Sequence, residues 1–177
     1  QYLADPTDSG TYSAQNWLAS LRVQDASGLS STSTASGAEL NTLFALRVDT
    51  SLGGINFNSL SIGADTGTFN ATSTVVNTGN AAIDIDLDGT DLVGPAGPSG
   101  KIGVGQQKYS TSTFTYASCS VCQLLSGSAV QVEVDLPKPT ATSTEITDDI
   151  YWGLAVPSSG VSADIHTGLN TFMARSD

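Results

Sequence analysis

Cations are scarce in this chain. Its 177 residues carry six Lys and Arg against 17 Asp and Glu, a formal net charge of −11. Phosphate recognition needs clustered basic side chains. Arg22, Arg47, Lys101, Lys108, Lys138 and Arg175 are scattered instead. Nucleic acid and anionic membrane surfaces are therefore not expected partners. Charge of either sign is low, at 13% of residues, about half the usual share for a soluble domain. Ser and Thr take its place at roughly a quarter of the chain. Such a hydroxyl-rich surface is commoner on secreted and cell-surface proteins than in the cytosol.

Long apolar runs are missing as well. None approaches the ~20 residues a spanning helix needs, and the longest candidate, Leu43 to Val48, has the length of a strand. The chain opens on Gln1, read as a mature end left by removal of a leader. Residues 1–25 are polar, unlike the long apolar helix that opens mature type IV pilins and archaeal flagellins. That helical filament class is not expected.

Chemistry-bearing residues are few. Only three Glu occur (Glu39, Glu133, Glu145), with one His and two Cys. A paired-carboxylate glycosidase needs two acids flanking a cleft, and no motif offers them. His166 is the one candidate general base near neutral pH, but no nucleophile elbow accompanies it. An enzyme is not expected. Zinc would want four ligands, and His166 is far in sequence from Cys119 and Cys122. Thioredoxin-type chemistry wants C-x-x-C at the start of a helix. This pair lies among strand-like residues, so a structural disulfide in an oxidising compartment is the reading taken.

What the chain does have is alternation. Val130, Val132, Val134 and Leu136 alternate with polar residues, as do Ile83, Ile85 and Leu87, and Trp152, Leu154 and Val156. Each pattern is that of a half-buried strand. Weaker candidates are 18–23, 43–48, 55–62, 68–76, 101–109, 113–116 and 167–174. About nine or ten short strands result, punctuated by Gly, Asn, Asp and Pro. Asn77-Thr78-Gly79-Asn80 reads as a hairpin turn. Stretches 30–37, 94–100 and 137–144 read as long connections. Helical spacing is confined to 12–21 and 38–46, with room for a short helix at most. The expected fold is all-β: an antiparallel two-sheet β-sandwich of jelly-roll or Greek-key type.

Several residues invite a ligand. Asp84, Asp86 and Asp88, followed by Gly89, match the start of a calcium loop, with Asp91 or a loop carbonyl as further ligands. The twelfth position of such a loop falls on Pro95, which cannot ligate. On a strand the three carboxylates lie about 7 Å apart on one face. A solvated acidic strand face is the plainer reading and is preferred to calcium. Asp148-Asp149 reads as a polar turn before a strand. Asn70-Ala71-Thr72 is a sequon for N-glycosylation. Trp17, Tyr151 and Trp152 are the candidates for a sugar-stacking platform, although the alternation around Trp152 favours the core, and Trp17 is expected to pack beside Leu18 and Leu21.

The polar N-terminus, the stretch Val75 to Ile83 around Asn77-Thr78-Gly79, and the closing stretches Tyr151 to Pro157 and His166 to Phe172 resemble the secreted β-sandwich subunits of matrix and surface fibres. These are the TasA/camelysin group and the related archaeal bundling pili. The Cys119/Cys122 pair departs from that pattern. The resemblance implies an extracellular structural subunit of a pilus-like or biofilm-matrix filament, a homopolymer joined by donor-strand complementation. The donor would lie in residues 1–14, an extended N-terminal donor strand anchored by Tyr2, Leu3 and Tyr12. Residues 15–177 would form the single sandwich domain. The alternative is a secreted carbohydrate-binding β-sandwich module, calcium-assisted through the same aspartates.

Overall fold

The computed structural model describes residues 4–50, 53–95 and 97–177. Tyr2 and Leu3 lie outside them. The strands, in chain order, are β1 (Ser20–Gln24), β2 (Ser30–Thr34), β3 (Leu46–Thr50), β4 (Ala71–Asn77), β5 (Ile83–Gly89), β6 (Leu92–Gly94), β7 (Gly97–Ile102), β8 (Gln107–Ser110), β9 (Gln123–Leu124), β10 (Val130–Leu136), β11 (Thr147–Leu154) and β12 (Asn170–Ser176). All pairings are antiparallel. One sheet has the order β3-β4-β11-β8-β9 and a second the order β10-β5-β12. Two separate hairpins, β1-β2 and β6-β7, complete the set.

The two larger sheets share one core. Val75, Tyr109, Ile150 and Trp152 come from the five-stranded sheet, and Ile83, Ile85, Leu87, Val132, Val134 and Leu136 from the three-stranded one. This arrangement fits the expected β-sandwich. Trp152 is fully buried. Its ring stands edge-on to Phe172 at 6.0 Å and tilted against Tyr109 at 5.7 Å, and its Nε1–H donates to Ser73 Oγ at 2.9 Å. The indole is thus satisfied as well as packed. Alternation in β10 works as the spacing predicts from Gln131 on: Val132, Val134 and Leu136 are buried while Gln131, Glu133 and Asp135 are exposed, but Val130, expected on the buried face, is exposed.

Several expectations need correction. Asn77-Thr78-Gly79-Asn80 does not close a hairpin. β4 pairs with β3 and β11, whereas β5 pairs with β10 and β12, so this turn carries the chain from one sheet to the other. Side chains hold the crossover. Asn77 Nδ2 donates to the carbonyls of Ala81, Leu136 and Pro137, and Asn77 Oδ1 accepts from Gly79 N. Gly79 is required because a Cβ there would sit 2.2 Å from the Leu43 carbonyl oxygen.

The helical spacing of 38–46 forms no helix. Its amide groups are taken by side chains from elsewhere: Leu40 N–H by Thr7 Oγ1, Thr42 N–H by Asp8 and Leu43 N–H by Asn80. Such side-chain acceptors compete directly with a helical ladder. Residues 12–21 hold only the end of a single 3-10 turn, Gly10–Tyr12, and the start of β1. The stretch 55–62 is irregular, and 30–37 and 94–100, read as loops, contain β2 and the tip of the β6-β7 hairpin. Pro98 is tolerated because β7 pairs with β6 on one side only among the described residues. Asp148 and Asp149 sit inside β11, not before it.

Candidate assembly surface

Every residue from 8 to 39 is exposed. The chain enters the shared core only at β3. Within the exposed stretch, β1 and β2 form a hairpin in the register Leu21↔Ser33, Arg22↔Thr32, Val23↔Ser31. Asp25 builds its turn: Oδ1 accepts Ser27 N–H and Leu29 N–H, both at 2.9 Å, and Gly28 supplies a φ of 90°. Leu21 and Val23 lie on one face, Arg22 and Gln24 on the other. Leu21 is 68% and Val23 61% exposed, so the apolar face of the hairpin is open to solvent. Sequence spacing identified β1 but not that it would stand clear of the core.

The described part of the candidate donor segment is engaged with its own chain. Thr7 N–H donates to Leu40 O at 2.8 Å, Asp8 accepts Thr42 Oγ1 at 2.7 Å, and Asp5 pairs with Lys138. Tyr12 is exposed at the end of its 3-10 turn.

Trp17 is 47% exposed, contrary to the expectation that it packs. Its backbone pairs with Ala38 and its Nε1–H donates to Asp5 O at 2.9 Å, which fixes the ring edge and leaves much of the ring uncovered. Tyr12, Gln15 and Asn16 join it around a hollow of about 300 Å³. Trp152 and Tyr151 are not part of this hollow.

The aspartates behave individually. Asp84 is buried rather than solvated. Its carboxylate accepts Val134 N–H at 3.0 Å, Asp135 N–H at 3.1 Å and Gln131 Nε2–H at 3.1 Å. Burial resists the charge, but these hydrogen bonds outweigh it and hold the group below the usual carboxylate range. Asp86 pairs with Arg175 at 2.9 Å, and Asp88 lies opposite Thr171 in the β5-β12 register. The acids that do converge are Asp84, Asp135 and Asp177, with carboxylate oxygens within 4.8 Å of one another. Asp135 enters through a bulge at a φ of 46°. Glu133 lies beside them, and the charge of Asp84, with burial and with the charges of Asp135 and Asp177, raises its carboxyl above the ordinary value. Burial, first, and the charge of Asp149 raise Asp148. The end of β10 is thus a patch of unbalanced negative charge.

The cations are mostly spent elsewhere. Arg47 pairs with Asp49 and Glu145, Lys101 with Asp91 and Arg175 with Asp86. Lys108 lies over the Tyr116 ring at 4.5 Å. Among the described residues, Arg22 is the one arginine with no carboxylate in ion-pair range; it donates only to Ser30 Oγ at 3.4 Å.

Cys119 and Cys122 form a disulfide with Cα atoms 5.7 Å apart. It pins an exposed tip that carries Val121. His166 lines a groove of about 1110 Å³ floored by Phe57, Leu60, Leu92, Ile102 and Leu154. Its ring nitrogens lie 2.8 Å from Gly100 O and 3.0 Å from Asp164 O, so both are occupied by backbone. Asn70 Oδ1 accepts Phe114 N–H at 2.9 Å, and its Nδ2, the atom a glycan would occupy, is enclosed. In this conformation the sequon presents no acceptor.

Comparison with family models, curated proteins and solved structures returns no match. No helix of the described residues is long and apolar enough to cross a membrane.

Proposed function

We propose that this chain is a structural subunit of an extracellular filament, pilus-like or part of a biofilm matrix, that joins to copies of itself by strand addition. The observation that carries the reading is that residues 8–39 lie wholly outside the core, while the outer strands of the three-stranded sheet, β10 and β12, each pair on one side only among the described residues. Unpaired strand edges are templates for another chain, and β-augmentation joins chains through main-chain hydrogen bonds. A head-to-tail contact of that kind, if it does not close, produces a fibre. The donor is placed in residues 1–14, with Tyr2, Leu3 and Tyr12 as anchors. In the filament the contacts that residues 5–9 make with 40–42 and Lys138 pass to the neighbour, as in a domain swap. The Cys119–Cys122 disulfide and the weakly charged surface favour an oxidising, extracellular setting. A jelly-roll strand order, no catalytic role and no resident cofactor complete the reading. Deleting residues 1–14 is expected to abolish filaments and leave a folded monomer. Fibres that persist unchanged would refute the donor assignment.

A second reading, a carbohydrate-binding module, is favoured by one observation: the half-exposed Trp17 ring beside Tyr12, Gln15 and Asn16. Sugar rings stack on such faces, and neighbouring amides fix their hydroxyls. Glycan binding lost on Trp17→Ala by a protein that stays monomeric would decide for it.

A further inference from the structure

We propose that the β1-β2 hairpin of one subunit adds to the edge of β10, unpaired among the described residues, in a second copy, with Leu21 and Val23 continuing the inner face of the sheet and Arg22 meeting the carboxylates of Glu133 and Asp135. The inference rests on the self-assembly reading and adds a second contact to that of the donor segment.

The hairpin needs a partner. A lone two-stranded hairpin is marginal in water, and this one exposes Leu21 and Val23 on β1 and Leu29 in its turn. The pattern of β1 matches that of β10. Leu21-Arg22-Val23 alternates apolar, cationic, apolar, while Val132-Glu133-Val134 alternates apolar, anionic, apolar. Side chains change face at every residue of a strand. A β1 strand laid along β10 with its apolar side inward therefore brings Arg22 to the outer face beside Gln131 and Glu133, with Asp135 exposed in the bulge that follows Val132.

Charge selects the edge. The other free edge of this sheet, β12, carries Arg175, which is committed to Asp86 and repels a second guanidinium. The β10 edge carries Glu133 and Asp135, with Asp84 and Asp177 behind them, and no cation offsets Asp135 or Glu133 among the described ion pairs. The same acids keep two β10 edges from pairing with each other, since like charges laid side by side repel. A strand bearing Arg22 escapes that repulsion. The contact is therefore heterologous, hairpin to edge, and propagates.

The test uses the full chain and reads self-association by sedimentation velocity and negative-stain microscopy. Arg22→Glu is expected to weaken association at least about tenfold, as is Glu133→Lys. The chain carrying both reversals is expected to recover a large part of that loss. Raising NaCl from about 50 to about 500 mM should weaken the parent and strengthen Arg22→Glu, whose contact salt relieves of repulsion. Arg22 is exposed on a hairpin outside the core, so its reversal leaves the body folded, which the thermal melt checks. Filaments of Arg22→Glu that match the parent in number and salt response would overturn this contact while leaving the filament reading intact. A parent chain that stays monomeric at every concentration overturns both.

Discussion

Asn77 ties the crossover between the two core sheets to the end of β10, its Nδ2–H donating to the Leu136 carbonyl at 3.1 Å. The same amide serves Ala81 O and Pro137 O, and the residue is almost fully buried. Asn77→Ala strips a partner from the buried Leu136 carbonyl and Gly79 amide, each of which costs desolvation when left unmade. A loss of about 1–3 kcal/mol is expected in urea unfolding. An unchanged midpoint would mean that the crossover is held by other contacts.

Asp84 gives a pH signature. Its folded carboxyl lies below the ordinary 3.8, so the unfolded chain binds the proton more tightly. The stabilisation is present above about pH 4 and is lost as pH falls through the lower folded value. Asp84→Asn should cost about 1–3 kcal/mol at pH 7, and the gap to the parent should narrow in acid. Parallel stability curves across that range would contradict the role assigned to the charge.

Glu133 works in the opposite sense. Its carboxyl is raised above the ordinary 4.5, first by the charge of Asp84. The folded chain then holds the proton more tightly than the unfolded one, so stability falls as pH rises through the window above 4.5. Glu133→Gln removes the penalty. The isolated variant should melt above the parent at pH 7 and level with it near pH 3; melting below the parent at pH 7 would show that Glu133 is not under repulsion.

The two tryptophans should separate cleanly. Trp152→Ala empties the centre of the core and is expected to cost about 3–5 kcal/mol. Trp17→Ala changes an exposed ring and should stay within about 0.5 kcal/mol. Comparable losses at both sites, measured by calorimetry, would show that Trp17 supports the core.

How much of this was readable beforehand follows from the range of the forces involved. Strand alternation is local, so β5, β10 and the end of β11 emerged from spacing alone, and the buried reading of Trp152 followed from its strand. What failed was decided by partners distant in sequence. The amides of 38–46 are claimed by Thr7, Asp8 and Asn80, which no helical periodicity reveals. Asn77-Thr78-Gly79-Asn80 has the residues of a hairpin turn, yet Asn77 is drawn to Leu136 and Pro137, and the chain changes sheets. Asp84, Asp86 and Asp88 look equivalent by spacing, but a bulge at Asp135 gives Asp84 buried donors that the other two lack. Trp17 and the hairpin beyond it carried apolar residues that counted toward a core they never join.

Assembly of the chain through the segment that its core leaves outside is the central expectation. Sedimentation velocity of the purified chain over a concentration series, paired with electron microscopy of the same samples, measures this most directly. The prediction is a concentration-dependent shift to long, unbranched fibres that disappears when residues 1–14 are removed. A single slow monomer boundary at every concentration, with empty grids, would contradict it.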